Sequence, residues 1–187
     1  MTTKRNLEST QHFFKWIFPF LALLFMLIDG QITLVLTSIS TQRNVFSSQL
    51  LLLLFITAYF YLGKSTYLIV WTTIFGVIYD LYYYGIIGIF TFCFPVMILI
   101  LDKCIHLIRP HIYSYLMVFL LCNIWVMYGS YFMELIFHLT NYDFMSYMIL
   151  YVAPSLLLNA IFDLIALIYG REFYLSGGYA HINQKAE

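Results

Sequence analysis

The sequence predicts an all-α integral membrane protein with six transmembrane helices, and three observations carry that prediction. Only 10% of its 187 residues are charged while 63% are hydrophobic, and the mean hydropathy is +0.86, far from the balance of a soluble domain. Apolar runs recur along the chain at lengths that approach or reach the about 20 residues a helix needs to cross a hydrocarbon core of roughly 30 Å. Lysines and arginines gather on alternate connections between those runs, as a multi-pass chain requires.

The runs lie at 17–37, 47–62, 66–84, 86–101, 112–137 and 147–169. Lys4, Arg5 and Lys15 precede the first, which is longer than a signal-peptide core and lacks a small-residue cleavage site after it, so it reads as a span behind a short polar tail at 1–16. The second, from Ser47 to the residue before Gly63 and Lys64, is short and fits a span with little tilt or a locally thinned bilayer.

Tyr67 to Leu101 is a stretch of 35 residues in which Asp80 is the sole charge. One helix of that length would reach about 52 Å, too long for the core even when tilted, so the stretch must break, and Gly85 and Gly88 supply the break. Charge bias says that the break makes two crossings. With six spans, Lys4, Arg5, Lys15, Lys64, Lys103, Arg109, Arg171 and Lys185 share one side and Arg43 alone lies opposite, 8 against 1; with one crossing the division would be 4 against 5. The positive-inside rule therefore places both termini in the cytoplasm.

Pro95 in the fourth span and Pro154 early in the sixth each remove a backbone donor and can kink their helices. Many of the 17 tyrosines fall near span ends, where an amphipathic ring suits the interface. No internal repeat or linker divides the chain, so 17–169 reads as a single transmembrane domain, followed by a loosely ordered cytoplasmic tail at 170–187 with a Gly177-Gly178 pair.

Several function classes are excluded or unsupported. Zero formal net charge gives no basic field for nucleic acid. Cys93, Cys104 and Cys122 stand singly and read as reduced packing residues; Cys104, His106 and His111 have no zinc spacing. Ser155, His138 and Asp143 come without a nucleophile elbow, and no Walker or dinucleotide motif is present. Neither an enzyme, a cofactor nor a metal site is expected.

What remains is a set of acids inside the membrane: Asp29, Asp80, Glu134 and Asp163. Charge in hydrocarbon is costly, and no lysine or arginine lies deep in a span to pair with them. Counted along their spans, Asp29 and Asp80 fall in the outer half, Glu134 near the outer boundary and Asp163 in the inner half. The odd-numbered spans could converge on an acidic cavity open to the outside, binding a basic group, a cation or a partner's polar segment. Equally, each carboxyl could hold helices together by hydrogen bonds to neighbours such as Tyr79, Gln31 or Thr33. Asp80 stands out because Gly76, four residues earlier, shares its helix face and lets another helix approach closely.

Gly76, Asp80 and Gly88 form a Gly-x-x-x-Asp element followed eight residues later by glycine, and "PSLLLN" runs from Pro154 to Asn159 in the last span. With these motifs and its size and hydropathy, the chain resembles the rod shape-determining protein MreD family. The resemblance implies a non-enzymatic subunit of the machinery that directs peptidoglycan insertion in the bacterial cytoplasmic membrane. Its implied partners are MreC above all, with MreB, RodA and a class B penicillin-binding protein in the same complex. It also implies a partner-binding or helix-packing role for Gly76, Asp80, Gly85, Gly88, Pro154 and Asn159.

The six-span outline is similar as well to the S components of energy-coupling factor transporters, in which Asp29, Asp80 and Glu134 would bind a small basic solute. Those components dock through an Ala-x-x-x-Ala face that the first and third spans lack, and the external loops offer few polar groups for capture. A coupled cation carrier would show internal symmetry with broken helices, which is absent.

Overall fold

Prolines and glycines set the joints of this fold. The computed structural model describes residues 2–40, 45–63, 65–104 and 112–186, with side chains over 13–40, 45–63, 66–104 and 113–169. Arg43, Lys64, His106, Arg109 and His111 lie outside the described residues. The helices are α1 (Thr2–Ile39), α2 (Leu50–Leu62), α3 (Ser65–Tyr79), α4 (Phe90–Cys104), α5 (Ile112–Ile136), α6 (Phe144–Tyr147) and α7 (Ala153–Ala186). A π-helical segment, Asp80–Tyr84, extends α3, and another, Met148–Val152, joins α6 to α7. Among the described residues no strand is present.

Three helical stretches are long and apolar enough to cross a membrane: Phe13–Ile39, Tyr113–Ile136 and Phe144–Tyr169. Leu50–Leu62 is a shorter apolar helix. It is also the centre of the bundle, with nine of its 13 residues buried and apolar side chains on every face. Phe55 packs its ring on Phe18 of α1, Phe75 of α3 and Phe94 of α4, so neighbouring helices rather than lipid surround α2. The outward faces of the longer helices are apolar instead, as with Phe20, Leu121 and Leu157.

The expected break between the third and fourth runs is present, and its position explains a difference in boundary. Gly85 has φ 69° and Gly88 φ 136°, conformations that favour glycine, and the turn they make consumes the residues before Phe90. Helix α4 consequently starts at Phe90 and not at 86. Helix α2 starts at Leu50 and not at 47 because residues 45–49 form no regular element and are tied to other helices.

Two prolines leave carbonyls that distant residues take up. Pro19 lies inside α1 and cannot donate to the carbonyl of Lys15, four residues back; the Tyr67 hydroxyl donates to that oxygen at 2.8 Å. Pro154 likewise frees the carbonyl of Leu150, which accepts the N–H of Val45 at 3.0 Å. Each proline thereby becomes a tertiary attachment point.

At the chain's end, where the sequence predicts a loosely ordered tail, α7 continues to Ala186 through Gly177 and Gly178. Glycine costs a helix about 1 kcal/mol relative to alanine, an amount that continuous hydrogen bonding on both sides can carry. The polar segment at the N-terminus is helical too, from Thr2. Cys93 and Cys122 are buried and Cys104 is exposed, all three as free thiols.

Candidate functional site

Asp80 is fully buried and accepts four hydrogen bonds from the start of the next helix. The N–H groups of Gly88, Phe90 and Thr91 donate to its carboxylate at 2.9, 2.8 and 3.0 Å, and the Thr91 hydroxyl at 2.8 Å. The first N–H groups of a helix have no partner within it, and the helix dipole favours negative charge there. Asp80 therefore caps α4 from outside its own turn. Gly76 supplies the room: a Cβ there would lie 2.7 Å from the Phe90 carbonyl oxygen and 2.7 Å from Thr91 Cα. Gly85 closes the π turn by donating its N–H to the Asp80 carbonyl at 2.8 Å.

Asp29 repeats the device one helix pair earlier. It is 1% exposed and accepts the Ser48 hydroxyl at 2.6 Å and the N–H groups of Leu50 and Leu51 at 2.7 and 2.8 Å, so α1 caps α2 as α3 caps α4. Its partners are not neighbours on its own span but residues across a connection. Thr33, four residues along α1, accepts the N–H of Ser48 at 3.1 Å.

The PSLLLN element holds the same connection from the other side. Beside the Val45 attachment made available by Pro154, Ser155 Oγ accepts the N–H of Ser47 at 2.9 Å. Asn159, one turn further, accepts the N–H of Gln49 at 2.9 Å and donates to the Ser47 carbonyl at 3.0 Å. Residues 45–49 thus lie between α1 and α7, with backbone polar groups met by side chains on both helices. Ser48 and Thr91 escaped the sequence reading, which met Ser155 only as an unsupported catalytic serine and as part of PSLLLN. A cue did exist, because Ser47-Ser48-Gln49 before an apolar run is helix-start chemistry.

Asp163 lies elsewhere, between α7 and α5, accepting a hydrogen bond from Asn123 Nδ2 at 3.1 Å. Glu134, at the end of α5, accepts the Tyr84 hydroxyl at 3.2 Å. A cleft of about 280 Å³ opens beside it, lined by Gly30, Gln49, Tyr84, Ser130, Tyr147 and Tyr151 among others. The three acids expected to converge on one cavity therefore do not: Asp29 and Asp80 are taken up as caps, and Glu134 alone of the three lines this cleft. The reason is that a buried carboxylate next to unpaired helix N–H groups is stabilised by them and is drawn away from open space.

Among the described residues no three His, Cys, Asp or Glu side chains gather as a metal ion would need. The family described as rod shape-determining protein MreD matches residues 10–175. No curated protein and no solved structure matches the chain. Since that match spans the bundle from α1 through the capped α3–α4 turn into α7, the chain belongs to the rod shape-determining protein MreD family, membrane proteins of cell shape.

Proposed function

We propose that this chain is a non-enzymatic subunit of the bacterial elongation complex, organising peptidoglycan synthesis through helix–helix contacts with MreC. MreB, RodA and a class B penicillin-binding protein belong to the same complex in this reading. The observation that carries it is the family match over 10–175. The internal chemistry is in keeping with it, because Asp29, Asp80 and Asn159 are occupied in fastening helix starts. The large apolar faces of α1, α5 and α7 are left for lipid or a partner's helix.

In this proposal Gly76, Asp80, Gly85 and Gly88 serve partner binding by fixing α3 against α4, and Pro154 and Asn159 serve it by fixing residues 45–49. The protein crosses the cytoplasmic membrane six times with both termini in the cytoplasm. The 8 to 1 division of basic residues supports that topology, as does the shielding that allows α2 to be short. The solute-uptake alternative draws no support from the comparisons.

Pull-down from mild detergent followed by mass spectrometry tests the reading. Recovery of MreC and its associated cell-wall proteins is expected. Recovery of an ATPase pair with a coupling membrane subunit in their place would overturn it.

A further inference from the structure

We infer that the cleft beside Glu134 is a binding site for an alkylammonium group, presented by a phospholipid headgroup or by a small free amine. The inference does not rest on the elongation-complex reading. It begins from the composition of the walls. Five tyrosines line the cleft, Tyr79, Tyr83, Tyr84, Tyr147 and Tyr151. Tyr147 stacks on both Tyr131 and Tyr151, at 4.2 and 4.9 Å, so the ring face offered there is that of Tyr151, and Tyr79 pairs with Tyr83 at 4.5 Å. Glu134 shares the cleft with these rings and accepts a hydrogen bond from the Tyr84 hydroxyl.

Aromatic faces attract a cation within about 6 Å of the ring centroid, and a carboxylate beside them fixes its position. An anion finds nothing comparable there, because among the described residues no lysine or arginine lines the cleft. A purely apolar ligand would leave Glu134 against hydrocarbon, which is unfavourable. At about 280 Å³ the space admits a small headgroup and not a helix, so a partner's transmembrane segment is the wrong occupant. The position suits membrane amines, since the cleft opens at the end of the bundle where α3 turns into α4 and α5 ends.

The test uses the full chain in nanodiscs of equal phosphatidylethanolamine and phosphatidylglycerol, with native mass spectrometry of the lipid that stays bound. In parallel, choline is titrated against its uncharged isostere 3,3-dimethylbutan-1-ol, with tyrosine and tryptophan fluorescence as readout. Choline is expected to bind at least about tenfold more tightly than the isostere, and Glu134→Gln to remove most of that difference. Preferential retention of phosphatidylethanolamine identifies the source as lipid; choline binding without lipid preference identifies a free amine. Equal affinity for choline and its isostere in the unaltered protein overturns the proposal, whether or not Glu134→Gln folds. Discrimination that Glu134→Gln leaves unchanged in a folded variant overturns it as well.

Discussion

Asp80 and Thr91 face each other across the α3–α4 turn, and the carboxylate of the first accepts both the N–H and the hydroxyl of the second, at 3.0 and 2.8 Å. Eleven residues separate them in sequence. The pair turns a costly intramembrane acid into the fastening of the next helix, and the energetic consequences can be ranked.

Asp80→Ala strands the N–H groups of Gly88, Phe90 and Thr91 in a buried site and is expected to destabilise the fold by about 3–5 kcal/mol. Asp80→Asn costs less, about 1–3 kcal/mol. Oδ2 takes three of the four donors and Oδ1 one, so an amide can keep its oxygen at the busier position, and only the Phe90 N–H is left facing an NH2 that cannot accept from it. Thermal unfolding in detergent, followed by reaction of the buried thiols Cys93 and Cys122 with a dye, should order the proteins native, Asn, Ala. Equal midpoints for all three would refute the capping role.

Gly76→Ala and Gly85→Ala should separate two reasons for glycine. At Gly76 the added methyl meets the backbone of Phe90 and Thr91 at 2.7 Å, and backbone cannot swing aside, so α3 and α4 are forced apart at a cost of about 1–3 kcal/mol. At Gly85 nothing lies within 4 Å and the penalty is that of a left-handed alanine, about 1 kcal/mol. The same thiol assay should show a larger drop in midpoint for Gly76→Ala, and Gly76→Leu should exceed both. A larger drop for Gly85→Ala would contradict the close packing at Gly76.

How much of this was legible beforehand depends on the range of the interaction. The break at Gly85 and Gly88 followed from length alone, since no single helix could hold Tyr67 to Leu101. That Gly76 and Asp80 share a face followed from helical periodicity. Which helix approached that face did not follow, because periodicity describes one element and the occupant was the chain's own α4. Asp29 was harder still: its donors Leu50 and Leu51 are 21 and 22 residues away and reach it only once residues 45–49 are folded between α1 and α7. The contact of Tyr84 with Glu134 spans 50 residues, a separation at which pattern carries no signal.

The attachment of residues 45–49 should be measurable one amide at a time by hydrogen exchange. Ser155→Ala is expected to speed exchange at Ser47, and Asn159→Ala at Gln49, each by about tenfold for a loss near 1.4 kcal/mol. Pro154→Ala should act on Val45 by a different route, because alanine restores an N–H that competes for the Leu150 carbonyl. Uniform acceleration across the segment in all three variants would mean that it opens as one unit and that these bonds are not separable.

Membrane sidedness supplies the last prediction. The Tyr84–Glu134 bond, the approach of Gly88 to Phe137 and the Val45–Leu150 bond draw three connections to one end of the bundle: the one before α2, the turn before α4 and the loop after α5. If the positive-inside rule holds for the 8 to 1 division, that end faces outward. A cysteine placed at Thr140 should therefore react with a membrane-impermeant maleimide applied to intact cells. Cys104 is a built-in control, since α4 carries the chain from the turn at Phe90 about 22 Å along its axis to that exposed thiol. It should stay unlabelled in cells and react in inverted vesicles. Labelling of Cys104 but not of the Thr140→Cys site from outside would reverse the orientation, and would put the cleft beside Glu134 on the cytoplasmic face.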